Sequence, residues 1–255
     1  MNFHEFGDPK KPHMMLIHGG GNAWWNYLRQ ARILAEDYHV ILPTLDGHGE
    51  EYRTPYISTE DSADKLIAYI DQHCGGRLFF LCGVSLGGQI VLEMLSRRSD
   101  IADKAVVDGS ICFPQPAMAR FCIGTVRFLG WTMFSRVSCK CQLALLRLMP
   151  KMRFSKEIED YYLRDMPRLP KETLYTMYRT YMTEYRLKNS IRNTKAELMY
   201  WYGSKEMKCV KESARMVKEL VPSCWIYEAK GCDHGYLAIY QPEKWLEVVR
   251  PFLKN

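Results

Sequence analysis

The chain has 255 residues, 47% of them apolar and 25% charged, with a net charge of +6. That is enough apolar material to bury one substantial core, and no apolar run reaches the roughly 18 residues of a membrane span. Met1 to Pro9 lack the basic start and apolar stretch of a signal peptide, and the nine cysteines form an odd set without a C-x-x-C pair. Together these predict reduced thiols and a cytoplasmic protein, and Cys139-Lys140-Cys141 is too isolated to predict a metal site.

In chain order, Met14-Met15-Leu16-Ile17 predicts a buried strand that runs into His18-Gly19-Gly20-Gly21. Glycines after a strand let backbone N–H groups approach a ligand and meet developing negative charge, although a tight turn into the next helix would use the same residues. A helix is expected over Ala23–Glu36 and a strand over Val40–Leu42, which leads to Leu45-Asp46-Gly47-His48-Gly49. Trp24 and Trp25 follow the glycine run, where they either touch substrate or anchor the helix. His48 is read as structural. Ser58-Thr59-Glu60-Asp61 reads as a capping box opening a helix to His73.

The next segment is the most informative. Leu78–Cys82 reads as a buried strand, Gly88–Leu95 has helical spacing, and Gly83-Val84-Ser85-Leu86-Gly87 joins them. A serine on a sharp strand-to-helix turn holds its hydroxyl out of the sheet, and flanking glycines are needed where side chains would collide. Ser85 is therefore a candidate nucleophile. Ala105–Val107 is a further strand, ending at Asp108. Near the C-terminus, Glu197–Gly203 reads as a strand followed by Ser204-Lys205-Glu206, and Cys224–Glu228 as a last strand followed by Gly231-Cys232-Asp233-His234-Gly235. A carboxylate and a histidine just past strand ends stand where a parallel sheet carries its working residues, which makes His234 a candidate general base. Helices are expected over Lys211–Leu220 and Pro242–Leu253. Strands alternating with helices predict an α/β fold, a mostly parallel central sheet with helices on both faces.

The HGGG run at 18–21, the LDGHG loop at 45–49 (similar to the family's D-x-G-H-G), the GVSLG turn at 83–87, GSKE at 203–206 and CDHG at 232–235 resemble, in order, the motifs of the α/β-hydrolase superfamily. The resemblance covers essentially the full length. It implies a catalytic triad of Ser85, His234 and an acid, with an oxyanion hole from the backbone of Gly20 and Leu86 and Gly21 as a further donor. The acid after the penultimate strand is more often aspartate in the family; here Glu206 matches, with Asp108 as the alternative. Asp233 adjoins His234, so its side chain should point elsewhere. The short lead-in before Met14 implies that the family's first strand is absent or truncated.

Between Cys112 and Lys195 strand patterns vanish, and helices are expected over Ala117–Phe134, Cys141–Met149, Ser155–Met166 and Lys171–Leu187. The resemblance implies that this insertion, after the sixth core strand, is an all-helical cap or lid. The expected division is a core of residues 1–111 and 196–255 with a cap of 112–195. The cap carries a net +10 and the remainder −4. Such a basic segment would concentrate anionic substrates or favour an acidic lipid surface, and it also reads as the solvated faces of amphipathic helices. Tyr175, Tyr178, Tyr181 and Tyr185 fall on one helical stripe, either core or pocket wall, with Tyr178 and Trp24 the candidate substrate contacts. No nucleic-acid module accompanies the charge.

The resulting expectation is a serine hydrolase acting on a small or medium carboxylic ester through an acyl-enzyme, needing neither metal nor organic cofactor. An acyl-CoA thioesterase, an acyltransferase and a C–C bond hydrolase share the constellation. A receptor that keeps the triad without turnover is the reading from a different class.

Overall fold

A computed structural model describes residues 1–254. Seven strands form one sheet: β1 (Asn2–Phe6), β2 (His13–Ile17), β3 (His39–Thr44), β4 (Leu78–Val84), β5 (Ala102–Asp108), β6 (Glu197–Gly203) and β7 (Trp225–Ala229), in the order β1-β3-β2-β4-β5-β6-β7. Every pairing is parallel except β1 with β3, which is antiparallel at the edge. A short strand thus occupies the lead-in before Met14.

Alternation along the strands splits the core into two layers. Met15, Ile17, Leu81, Ala105, Val107, Leu198 and Tyr200 face α2 (Thr59–His73), α3 (Leu86–Arg97) and α8 (Lys208–Leu220). The intervening Met14, Leu16, Phe80, Cys82, Val106, Met199 and Trp201 face α1 (Leu28–Leu34) and α10 (Pro242–Lys254). A side-chain period of two in strands covered on both faces produces the continuous apolar runs seen in the sequence. The short α9 (Tyr236–Tyr240) precedes α10.

From Pro116 to Asn193 the chain is helical: α4 (Pro116–Met133), α5 (Arg136–Arg147), α6 (Lys156–Asp165) and α7 (Lys171–Arg179), with short 3-10 and π turns between and after them. This segment follows the fifth strand of the chain; it was expected after the sixth by the family's count, and only one strand precedes His13. Three helices depart from expectation. The first begins as a 3-10 turn at Trp24–Tyr27. Helix α5 starts at Arg136, where the Ser135 hydroxyl accepts from the Ser138 N–H, five residues ahead of the expected start. Helix α7 ends at Arg179 and passes into a π turn over Thr180–Glu184, instead of continuing to Leu187. No described helix is long and apolar enough to cross a membrane.

Candidate active site

Ser85, Asp108, Glu206 and His234 stand at or beyond the ends of β4, β5, β6 and β7 in turn. Ser85 alone connects β4 to α3 and is the only non-glycine with positive φ among the described residues, at φ 56°, ψ −113°. Such a conformation costs on the order of 1–3 kcal/mol and persists only where the surroundings impose it. Here they do. A Cβ on Gly83 would lie 2.3 Å from the carbonyl of Gly87, and one on Gly87 would lie 2.3 Å from the Ile17 oxygen. The Ser85 N–H donates to the Asp108 carbonyl at 2.7 Å, and the Ser110 hydroxyl donates to the Ser85 carbonyl.

His234, beyond β7, has its Nδ1 2.7 Å from Oε1 of Glu206, which follows β6. The carboxylate accepts, so Nδ1 carries the proton and the neutral ring keeps Nε2 as an acceptor. Burial would lower the His234 pKa, but the hydrogen bond and charge of Glu206, with Asp108 adding, outweigh it and the net shift is upward. Gly109, at φ 62°, gives this pair its room: a Cβ there would lie 2.9 Å from Glu206 Oε1 and 3.1 Å from His234 Nδ1.

Asp108, the alternative acid, is buried and its Oδ2 has no hydrogen-bond partner among the described residues. Burial pushes its carboxyl up to about 7, with His234 opposing and Glu206 adding to the rise. The carboxylate on the imidazole is therefore Glu206, one methylene longer and reaching in from the neighbouring strand. Asp233 is exposed and makes no contact with the His234 ring among the recorded hydrogen bonds.

Ser85, Leu86, Gly20 and His234 share one cavity of about 520 Å³. No hydrogen bond joins the Ser85 hydroxyl to His234 among the described residues; both side chains line the same space, an arrangement that commonly tightens only with substrate bound. The helical segment supplies much of the wall: Met118, Phe121 and Cys122 from α4, Met177 and Tyr178 from α7, and Tyr181 and Met182 from the π turn. Met207 and Val210 close the far side. No Lys, Arg, Asp or Glu lines it. Tyr178 lines the cavity wall. Tyr185, on the same predicted stripe, is instead buried away from the cavity, because the π turn breaks the helix between them.

Trp24 is corrected from substrate contact to core. Its ring stacks on His4 at 4.0 Å and meets Tyr161 edge-on at 5.1 Å, since the 3-10 turn directs it toward the β1 edge. Gly21, with φ 80°, is likewise not in the cavity wall, whereas Gly20 is. His18 braces this loop: its Nε2 accepts from the Leu45 N–H at 3.1 Å while Nδ1 lies 2.8 Å from the Gly19 carbonyl. Burial, aided by neighbouring His48, lowers its pKa to about 3, which keeps the ring neutral. His48 is also buried, its Nδ1 2.9 Å from the Asp46 carbonyl, a structural setting.

Gln89 carried no signal in the sequence. Fully buried one turn after Ser85, it donates to the carbonyls of Ile111 and Tyr181 and accepts from Thr59, tying the helical segment to α3. The four cavity methionines, from α4, α7, the π turn and the start of α8, were equally silent, because only the tertiary fold gathers them. Among the described residues no cluster of His, Cys, Asp or Glu is arranged to hold a metal ion.

Residues 14–248 match the sequence profile of the alpha/beta hydrolase family. The chain belongs to that family. An AB hydrolase superfamily protein of Gibberella zeae is 27% identical over 139 residues, 51% of this chain and 48% of the relative, so the match spans about half the length of each. Among solved structures, one described with the carboxylesterases of the thaumarchaeon Nitrososphaera gargenis aligns at TM-score 0.78 and 17% identity, covering 99% of this chain and 93% of the other. The enol-lactonase of Burkholderia xenovorans aligns at 0.77 and 15%, covering 100% and 96%. A thermophilic esterase from Thermogutta terrifontis aligns at 0.75 and 18%, covering 99% and 92%. At these identities the likeness is one of fold.

Proposed function

We propose that this alpha/beta hydrolase is a serine esterase acting on uncharged carboxylic esters with a small or medium apolar acyl group. The observation that carries the reading is the convergence of Ser85 and His234 on one apolar cavity, with Glu206 on the far nitrogen of the imidazole. His234 Nε2 takes the Ser85 proton as the hydroxyl oxygen attacks the ester carbonyl, and the tetrahedral oxyanion is met by the backbone N–H groups of Leu86 and Gly20. The Leu86 amide is in the first turn of α3, where N–H groups have no helical partner. One such donor is typically worth roughly 2.7–4 kcal/mol in the transition state. His234 returns the proton to the leaving alcohol, and water then repeats the sequence on the acyl-enzyme. Residues 112–195 act as the cap, their methionine and tyrosine side chains shaping the acyl site. The uncharged lining suits an apolar acyl group, and the cap's basic residues stand outside the cavity.

The test is hydrolysis of p-nitrophenyl esters from acetate to dodecanoate by wild type and Ser85→Ala. The expected result is turnover with a chain-length optimum, falling on the order of 10⁴-fold or more in the variant with folding intact. Equal turnover by the variant would overturn the assignment, and tight binding of an ester without turnover by the wild type would favour a receptor.

A further inference from the structure

Among the described residues, eight of the twelve exposed large apolar side chains fall between Phe121 and Met149, on α4, α5 and their flanks. On α4, Ala119, Val126 and Gly130 are buried, consistent with its packing on α7, while Phe121 and Phe128, two turns apart, are about three-quarters exposed. On α5, Cys139 and Leu143 point inward, and Val137, Leu145 and Leu148 form an exposed stripe at i, i+8 and i+11. These two touching helices therefore have apolar faces on both sides, one packed and one open to solvent.

The two helices themselves carry charge of a single sign, with acidic side chains supplied only from the neighbouring α6 and α7. No Asp or Glu occurs from Gly109 to Lys156, a span that holds eight Lys and Arg residues. Among the described residues Arg120, Arg127, Arg136 and Lys140 make no ion pair, whereas Arg147 is held by Glu159. Helix α4 does not qualify to cross a membrane, but exposed phenylalanine and leucine ringed by unpaired basic residues fit the interface of an anionic bilayer. A second copy of the chain is disfavoured, because an isologous contact would set the same uncompensated cations against each other. Phe121 belongs to both surfaces: it lies on the open face and lines the cavity of Ser85. The mouth of the cavity thus borders the apolar face.

We propose that the α4–α5 hairpin is a docking surface for membranes carrying anionic lipid, seating the protein with its cavity mouth toward the acyl-chain region. Apolar side chains enter the interface and the basic residues meet the head groups. The proposal does not depend on hydrolysis, and its test requires no turnover.

The protein is sedimented with phosphatidylcholine vesicles, with and without phosphatidylglycerol. Binding is expected to be roughly tenfold or more tighter with the anionic lipid and to weaken with added salt. Phe128→Ser/Leu148→Ser is expected to lose binding to both vesicle types, and Arg127→Glu/Lys140→Glu to lose the preference for phosphatidylglycerol. Both variants should keep the wild-type melting temperature, since these side chains are exposed. Failure of the folded wild type to bind anionic vesicles would overturn the proposal, as would undiminished binding by both variants. So would a wild-type dimer in solution that Phe128→Ser/Leu148→Ser converts to monomer, which would assign the face to a second copy.

Discussion

At the C-terminal ends of the strands the candidate residues are set by backbone contacts that leave no space for a methyl group. The helical segment of residues 116–193 meets the same cavity through methionine and aromatic side chains. Gly83 against Gly87, and Gly87 against Ile17, admit one geometry for the turn at Ser85. Opposite them stand Met118, Met177 and Met182, whose rotatable thioether chains fill space adaptably. The difference extends to charge, net −4 outside residues 112–195 and +10 within them. The candidate triad is thus built into the part of the chain with least freedom, and the shape of the cavity into the part with most.

The largest effect that would sharpen this contrast is expected from Glu206→Gln. Losing the anion that orients and stabilises the imidazolium should lower kcat on the order of 10⁴-fold, as in other triads. The pH profile supplies a second readout. His234 must be neutral to accept a proton, and its pKa is raised, so the acid limb of kcat/KM in the wild type should have its midpoint above 6.5. Because Glu206 contributes to that rise, the limb should move to lower pH in the variant; an unmoved limb would assign the titration to another group.

A matched pair of glycine replacements tests the comparison on stability. Gly87→Ala puts a Cβ 2.3 Å from the Ile17 carbonyl and should cost about 3 kcal/mol or more in urea unfolding. Gly124→Ala, in α4 with nothing within 4 Å, should stabilise by about 0.5–1 kcal/mol. Costs of the same sign and size at both positions would break the distinction.

Asp108→Asn reads the buried carboxyl beneath the site. Its pKa is raised from 3.8 to about 7 by burial, so the folded chain holds a proton that the unfolded chain releases, and stability falls as pH rises from about 4 through about 7. The amide does not titrate. The variant should therefore be more stable than wild type above pH 7, by roughly 4 kcal/mol at most, with the gap closing below pH 4. A constant difference across that range would mean that Asp108 is already ionised in the native state.

Much of the sheet was legible because strands buried on both faces are written as uninterrupted apolar runs, as at Met14–Ile17 and Leu78–Cys82. Strand β1 was not, since Asn-Phe-His-Glu-Phe lies half-exposed on an edge and carries no such run. The start of α5 was obscured for a related reason: apolar residues on its solvent face blur the helical period that marks a packed one. Ser85, His234 and Glu206 stand in local motifs at strand ends, so the residues themselves could be named from the chain. Trp24 could not be placed, because proximity in sequence to the glycine loop says nothing about which way a 3-10 turn sends a ring. Gln89 and the cavity methionines have no local signature at all.

The methionine lining has a consequence of another kind. Four thioethers, Met118, Met177, Met182 and Met207, surround one small apolar space beside Ser85. Each is a site where a single oxygen atom would convert wall into dipole, since a sulfoxide is polar and chiral where the thioether is neither. The polarity of this cavity is consequently open to oxidants and restorable by reductants, while the glycine-locked turn that holds the serine carries no atom susceptible to the same chemistry.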